Sequence, residues 1–114
     1  MPSYLVGIYR PGGYDPARAE DVAMLHGIDN LNREMVAAGV RQFAGGLQSP
    51  DRATSLRWTP EGELLQDNGV FLRTDMYLGG FWILNVADQA EAIAWGRKAA
   101  RACRAGVEVR PLHD

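Results

Sequence analysis

The stretch Gly79-Gly80-Phe81-Trp82-Ile83-Leu84-Asn85-Val86 is apolar at odd and even positions alike. Successive side chains of a strand point to opposite faces, so Phe81 and Ile83 look one way and Trp82 and Leu84 the other. Both faces of this strand must therefore be covered. A single layer of two helices covers one face of a small sheet. The other face needs a second sheet, most simply that of another subunit. A chain of 114 residues is large enough for one core and near the size at which a dimer interface helps.

The remaining segments supply the partners of that strand. Ser3 to Tyr9 reads as a strand ended by Pro11-Gly12-Gly13. Asp15-Pro16 signals a helix start, since Asp accepts from free first-turn amides and Pro fits the first helical position. Met24, Ile28, Leu31, Met35 and Ala38 recur at spacings of four and three as one apolar stripe, and Gly39 ends the helix. Val40 to Leu47 and Ala53 to Thr59 read as short strands separated by Ser49-Pro50-Asp51. Pro60-Glu61-Gly62-Glu63 is a tight turn, and Leu64-Leu65-Gln66 leads into a polar loop. Asp88 caps an Ala-rich helix running to about Cys103, with Ala92, Gly96, Ala99 and Cys103 as a seam of small residues. Val107 to Arg110 closes the chain as a strand before Pro111. The order β-α-β-β-(β)-α-β is that of a ferredoxin-like split βαβ fold, an α+β class with an antiparallel sheet and two helices on one face. No internal boundary divides it, so residues 1–114 read as one domain.

Composition excludes several function classes. The formal charge of −2 argues against nucleic-acid binding, which needs a basic surface to displace counterions from phosphates. Arg97, Lys98, Arg101 and Arg104 are read as a solvated helix face. Cys103 is the single cysteine, which rules out an intrachain disulfide, and His26 and His113 are too far apart for a metal-ligand spacing. The start of the chain does not read as a signal peptide and no stretch has bilayer-spanning length. The expected address is the cytoplasm, away from membranes. Phosphate loops, dinucleotide glycine patterns and nucleophile elbows do not occur, so no cofactor is expected.

Asn68-Gly69-Val70-Phe71-Leu72-Arg73-Thr74-Asp75, followed by Leu78-Gly79-Gly80, resembles the signature loop of the YCII-related (DGPF-domain) family, Asp-Gly-Pro-Phe-Ala-Glu-Thr-Lys-Glu-x-Leu-Gly-Gly. Gly69, Phe71, Thr74, Leu78, Gly79 and Gly80 match. Asn68 stands at the family's Asp and Val70 at its Pro. The resemblance implies the same ferredoxin-like fold and homodimers with facing sheets, in a dimeric α/β-barrel-like assembly. It also implies a His in the first helix working with an Asp as an acid/base pair.

His26 fits that position and lies opposite the apolar stripe, so it is either a proton carrier or a solvated surface side chain. Asp67, one residue before the signature position, is either its partner or part of an Asp-Asn-Gly turn. Asn68, Tyr9, Phe71, Arg73 and Thr74 are the candidate substrate-binding residues. The exchanged signs of Arg73 and Asp75 relative to the family suggest that the two pair with each other across the loop. Arg110 is expected in a sheet-edge salt bridge, and Cys103 as a packed, inert thiol. The implied function is a cofactor-independent isomerase-, lyase- or dehalogenase-type enzyme acting on a small organic molecule. The competing reading is a non-catalytic dimeric module that binds a metabolite or serves another protein. A cleft-facing, hydrogen-bonded His26 favours the first reading, and an exposed, unpaired His26 the second.

Overall fold

A computed structural model of the chain describes residues 1–113. Strand β1 (Ser3–Pro11) is followed by a one-turn helix α1 (Pro16–Ala19) and the long helix α2 (Val22–Ala37). Strands β2 (Arg41–Gly46), β3 (Thr54–Trp58), β4 (Leu64–Asn68) and β5 (Met76–Asn85) precede helix α3 (Gln89–Cys103) and strand β6 (Gly106–Pro111). The main sheet has the order β2-β5-β1-β6 and is antiparallel throughout. Two-sided β5 thus lies inside the sheet, as its composition requires. With α2 and α3 as crossovers, the molecule is α+β with the split βαβ order.

The helical start differs from expectation. Asp15 accepts from the Ala17 amide at 3.1 Å, but the turn it caps ends at Glu20, whose backbone is extended. Asp21 then starts again, accepting from the Met24 amide at 2.8 Å, and α2 follows. Two good caps six residues apart each nucleate their own helix, and the Glu20 carboxylate is held aside by the Tyr14 hydroxyl at 2.8 Å.

Both long helices cover the same sheet face. Met24, Leu31 and Met35 of the predicted stripe are buried, whereas Ala38 caps the helix end and is exposed. Val6, Leu84 and Val86 complete the core with Met35, all fully inaccessible. On α3 the small-residue seam is buried as expected. A Cβ on Gly96 would stand 2.7 Å from Val109 Cγ2, so the helix backbone rests directly on β6.

Among the described residues, no helix covers the opposite face of the sheet. Leu5, Leu78, Phe81 and Ile83 are half-buried there, and Phe43 on the edge strand is exposed. The Phe43 and Phe81 rings stack with centroids 5.6 Å apart.

Strands β3 and β4 stand outside this sheet as a hairpin of their own. The tight turn at 60–63 closes it, with the Thr59 amide donating to the Glu63 carbonyl at 2.8 Å and Gly62 at φ +84°. The run-up to the signature loop is therefore a strand that continues to Asn68. Asp67 and Asn68 sit within β4, and the chain leaves it at Gly69, φ +111°.

Candidate ligand cleft

The glycine pair of the signature shapes the centre of the sheet. Ile8 pairs with Gly80, but Tyr9 pairs with Leu78, leaving Gly79 as an extra residue, a β-bulge. The bulge changes the facing of everything before it on β5. Leu78 turns to the open face, where its Cδ1 would lie 2.9 Å from a Cβ on Gly7. Tyr77, opposite Arg10, turns to the helix side. Both glycines are tightly placed, Gly79 against the Arg10 side chain and Gly80 against the β2 backbone. A Cβ would meet Arg10 Cγ at 3.0 Å from Gly79 and the Gly45 carbonyl oxygen at 3.0 Å from Gly80.

Beside this bulge, on the helix side, lies a cleft of about 670 Å³. That volume suits a small organic ligand. Ile8 and Arg10 of β1, Tyr14 and Glu20 around α1, and Ile28, Asp29 and Asn32 of α2 form one part of its wall. Arg41 and the Ala44–Gly46 backbone of β2, the segment Leu47–Pro50, and Tyr77 to Trp82 of β5 form the rest, with Cys103 behind.

Its polar groups are held in two sets. In the first, Asn32 donates to the Ile28 carbonyl at 3.0 Å, which aims its amide oxygen at two donors. Trp82 Nε1 reaches that oxygen at 2.9 Å and Arg41 Nη1 at 3.2 Å. In the second, the Arg10 guanidinium lies 4.5 Å over the Tyr14 ring and donates to the Cys103 carbonyl at the end of α3. Burial, and then the hydrogen bond to Glu20, raise the Tyr14 hydroxyl above its ordinary pKa, so it stays protonated. Desolvation likewise raises the Cys103 thiol and keeps it unreactive, as its place on the packed seam suggests. Asp29 is paired with Arg33 at 2.9 Å. Among the described residues, neither Arg10 nor Arg41 has a carboxylate in an ion pair.

The residues singled out from the sequence lie mostly elsewhere. His26 is exposed on α2, outside the cleft lining, and has no hydrogen-bond partner among the described residues. Asp67 is exposed on β4 opposite Ser55, and Asn68 is exposed opposite Thr54. No hydrogen bond joins either of them to His26. Tyr9 is half-buried on the open sheet face, its hydroxyl donating to Glu108 at 3.4 Å. Phe71 lies under the Arg57 guanidinium at 4.3 Å. Thr74 ties its loop locally, its hydroxyl donating to the Met76 carbonyl and its amide to the Tyr77 hydroxyl at 3.1 Å.

Arg73 and Asp75 do not form the expected ion pair. Both are exposed, and the loop is fastened by Thr74 and by the Asp75 carbonyl, which accepts from the Gly12 amide at 3.0 Å. Arg110 does form its edge-strand bridge, to Glu108 at 2.7 Å, and this contact raises its already high pKa. Lys98 and Arg104 of the basic helix face pair with Glu34 and Asp21.

Sequence reasoning missed Arg10, Tyr14, Glu20, Asn32 and Arg41. Asn32 carried a readable signal, being a carboxamide one turn from Ile28 on the flank of an apolar stripe. Arg10 and Arg41 carried none, because their convergence depends on the sheet order.

A four-stranded antiparallel sheet with two helices on one face, a bulged inner strand and a ligand-sized cleft beside the bulge define the class: a small α+β protein of split βαβ topology with a candidate binding site on its helix side. The YCII-related domain matches residues 1–114, the entire chain, and the chain belongs to that family. A comparison with curated proteins gives no match. Among the described residues no helix is long and apolar enough to cross a membrane, and no three His, Cys, Asp or Glu side chains converge as metal ligands would.

Proposed function

We propose that this YCII-related protein is a homodimer that binds a small organic acid in the cleft between the bulged strand and α2. The observation that carries the reading is that two cleft arginines, Arg10 and Arg41, are each held by a neutral partner and, among the described residues, form no ion pair with a carboxylate. A guanidinium already positioned by a carbonyl or carboxamide retains donors for an incoming carboxylate. The indole of Trp82, the Tyr77 ring and Ile28 supply the apolar wall that an organic body needs.

Binding is favoured over proton-transfer catalysis by His26. That side chain is exposed and unpaired, and a base must come within hydrogen-bond reach of the proton it moves. An isomerase-, lyase- or dehalogenase-type reaction using His26 with Asp67 would require both to be carried to the ligand by a rearrangement or by a second subunit.

The dimer reading is supported by the open apolar sheet face, where β5 still presents Phe81 and Ile83 to solvent. Facing sheets from two copies would give the barrel-like assembly. A cytoplasmic address fits the free, buried Cys103.

The test is calorimetric titration of benzoate, cinnamate and hexanoate against their primary amides. The acids are expected to bind in the millimolar range, as fragments of this size do. The amides should bind at least ~5-fold more weakly, and Arg41→Gln should abolish that preference while His26→Ala leaves it intact. Equal affinity for acids and amides would contradict the reading. Loss of binding in His26→Ala would restore the histidine to the site.

A further inference from the structure

We infer that the cleft is built for a hydroxy acid, with its carboxylate on Arg41 and its hydroxyl at the other end, between Arg10 and Glu20. The inference rests on the organic-acid reading above and names what the far end of that acid must carry. The two polar sets of the cleft lie apart along the sheet. Trp82, which shares Asn32 Oδ1 with Arg41, pairs with Val6 of β1, whereas Tyr77 pairs with Arg10. The stretch of β1 from Val6 to Arg10 spans roughly 13 Å of backbone. Ile8, midway along it and on the same face, lines the cleft together with Ile28 of α2. An apolar body thus fits between two polar ends.

The charges at those ends differ. Arg10, Glu20, Asp29 and Arg41 are the charged side chains of the lining. Asp29 is taken by Arg33 at 2.9 Å, and Arg41 donates to a carboxamide, so its positive charge is uncompensated among the described residues. At the other end Tyr14 holds one charge of each sign. The Arg10 guanidinium lies 4.5 Å over its ring, and its hydroxyl donates to Glu20 at 2.8 Å. Among the described residues no ion pair joins Arg10 to Glu20. A cation and an anion therefore stand near each other on the cleft wall, each fastened to a neutral group.

That arrangement selects the group it can receive. A carboxylate placed there would be drawn to Arg10 and repelled by Glu20, and an ammonium the reverse. A hydroxyl accepts and donates at once, so it can take an N–H from Arg10 and give its proton to Glu20. Both contacts involve a charged partner, the stronger kind of hydrogen bond. The Cys103 carbonyl occupies Arg10 Nη1, and the fork keeps further donors for this purpose.

The experiment is calorimetric titration with rigid acids of increasing length: benzoate, cinnamate and biphenyl-4-carboxylate. Each is compared with its derivatives bearing a hydroxyl or a methoxy group at the ring position farthest from the carboxylate. The hydroxyl is expected to raise affinity at least ~5-fold on the cinnamate or biphenyl frame and to add nothing on benzoate, which is too short. The methyl ether, which accepts but cannot donate, should bring no gain. 4-Carboxycinnamate should bind wild type no better than cinnamate. Glu20→Gln removes the anion beside Arg10, so the ratio of 4-carboxycinnamate to cinnamate affinity should then rise at least ~5-fold. Parent acids that bind without a hydroxyl gain on any frame overturn the hydroxy acid and leave the organic-acid reading standing. A diacid that outbinds the hydroxy acid on wild type overturns it too, making Arg10 a second carboxylate anchor. Failure of every acid to bind overturns both readings. The ligand series needs no variant, so it decides the matter even if Glu20→Gln loosens α1.

Discussion

The two faces of the main sheet are built from the same strands yet stand at different stages of completion. On the helix side, Trp82, Leu84 and Val86 of β5 are buried under α2 and α3. On the other side, Phe81 and Ile83 of the same strand remain half in water. Alternation along one strand therefore places half of its apolar side chains in the core and leaves half on the uncovered face. The difference teaches where the chain's own resources end: two helices can finish one face of a four-stranded sheet and no more.

The strongest way to break this comparison is to truncate neighbours on β5. Leu84→Ala should cost about 3 kcal/mol, the usual loss for a fully buried leucine. Ile83→Ala should cost about 1 kcal/mol in dilute solution, because the side chain is already partly hydrated, and more at concentrations where the proposed dimer forms. Urea unfolding at low and high protein concentration measures both, and equal, concentration-independent losses would erase the distinction.

A pair of glycine substitutions sharpens it on the helices. Gly96→Ala places a methyl 2.7 Å from Val109 Cγ2, and a β-branched neighbour cannot turn away freely. Its overpacking cost should exceed the helix-propensity gain, for a net loss of about 1 kcal/mol. Gly27 on α2 has nothing within 4 Å of a built Cβ, so Gly27→Ala should gain about 0.5–1 kcal/mol. Thermal unfolding should move in opposite directions for the two.

The smallest expected effect concerns the electrostatic fastening of the helical layer. The Met24 amide, and then the Arg104 guanidinium at 3.1 Å, hold the Asp21 carboxylate below its ordinary pKa. A depressed folded-state pKa contributes stability that is present above the unfolded value and lost as pH falls through the folded one. Asp21→Asn keeps a good cap but removes the charge, so it should lower stability modestly at neutral pH, leave it unchanged in acid, and thereby flatten the acid limb of the stability curve below about pH 4. An unaltered acid limb would assign that pH dependence to other carboxylates.

Much of this architecture was legible in the sequence because it follows from local chemistry. The period of α2, the small seam of α3, the Asp88 cap and the two-sided strand β5 are written in consecutive residues. The second start at Asp21 was missed because two capping aspartates compete within six residues and only tertiary packing decides between them. The cleft was not legible. Arg10, Asn32 and Arg41 come to line one cleft through antiparallel strand order and through a bulge that turns Tyr77 inward, and neither is encoded by spacing along the chain. The signature residues were conspicuous for structural reasons instead. Gly79 and Gly80 avoid clashes at the bulge, and Gly69 turns the chain out of β4 at positive φ.

The most direct measurement is the response of the three tryptophan indole N–H resonances to benzoate in a two-dimensional NMR titration. Trp82 donates to Asn32 inside the cleft, Trp95 lies on α3 near Lys98, and Trp58 is exposed on the β3–β4 hairpin. The expected result is a saturable shift of the Trp82 resonance, with Trp58 and Trp95 unmoved. Three unmoved resonances, or a shift confined to Trp58, would contradict the assignment of the cleft as the binding site.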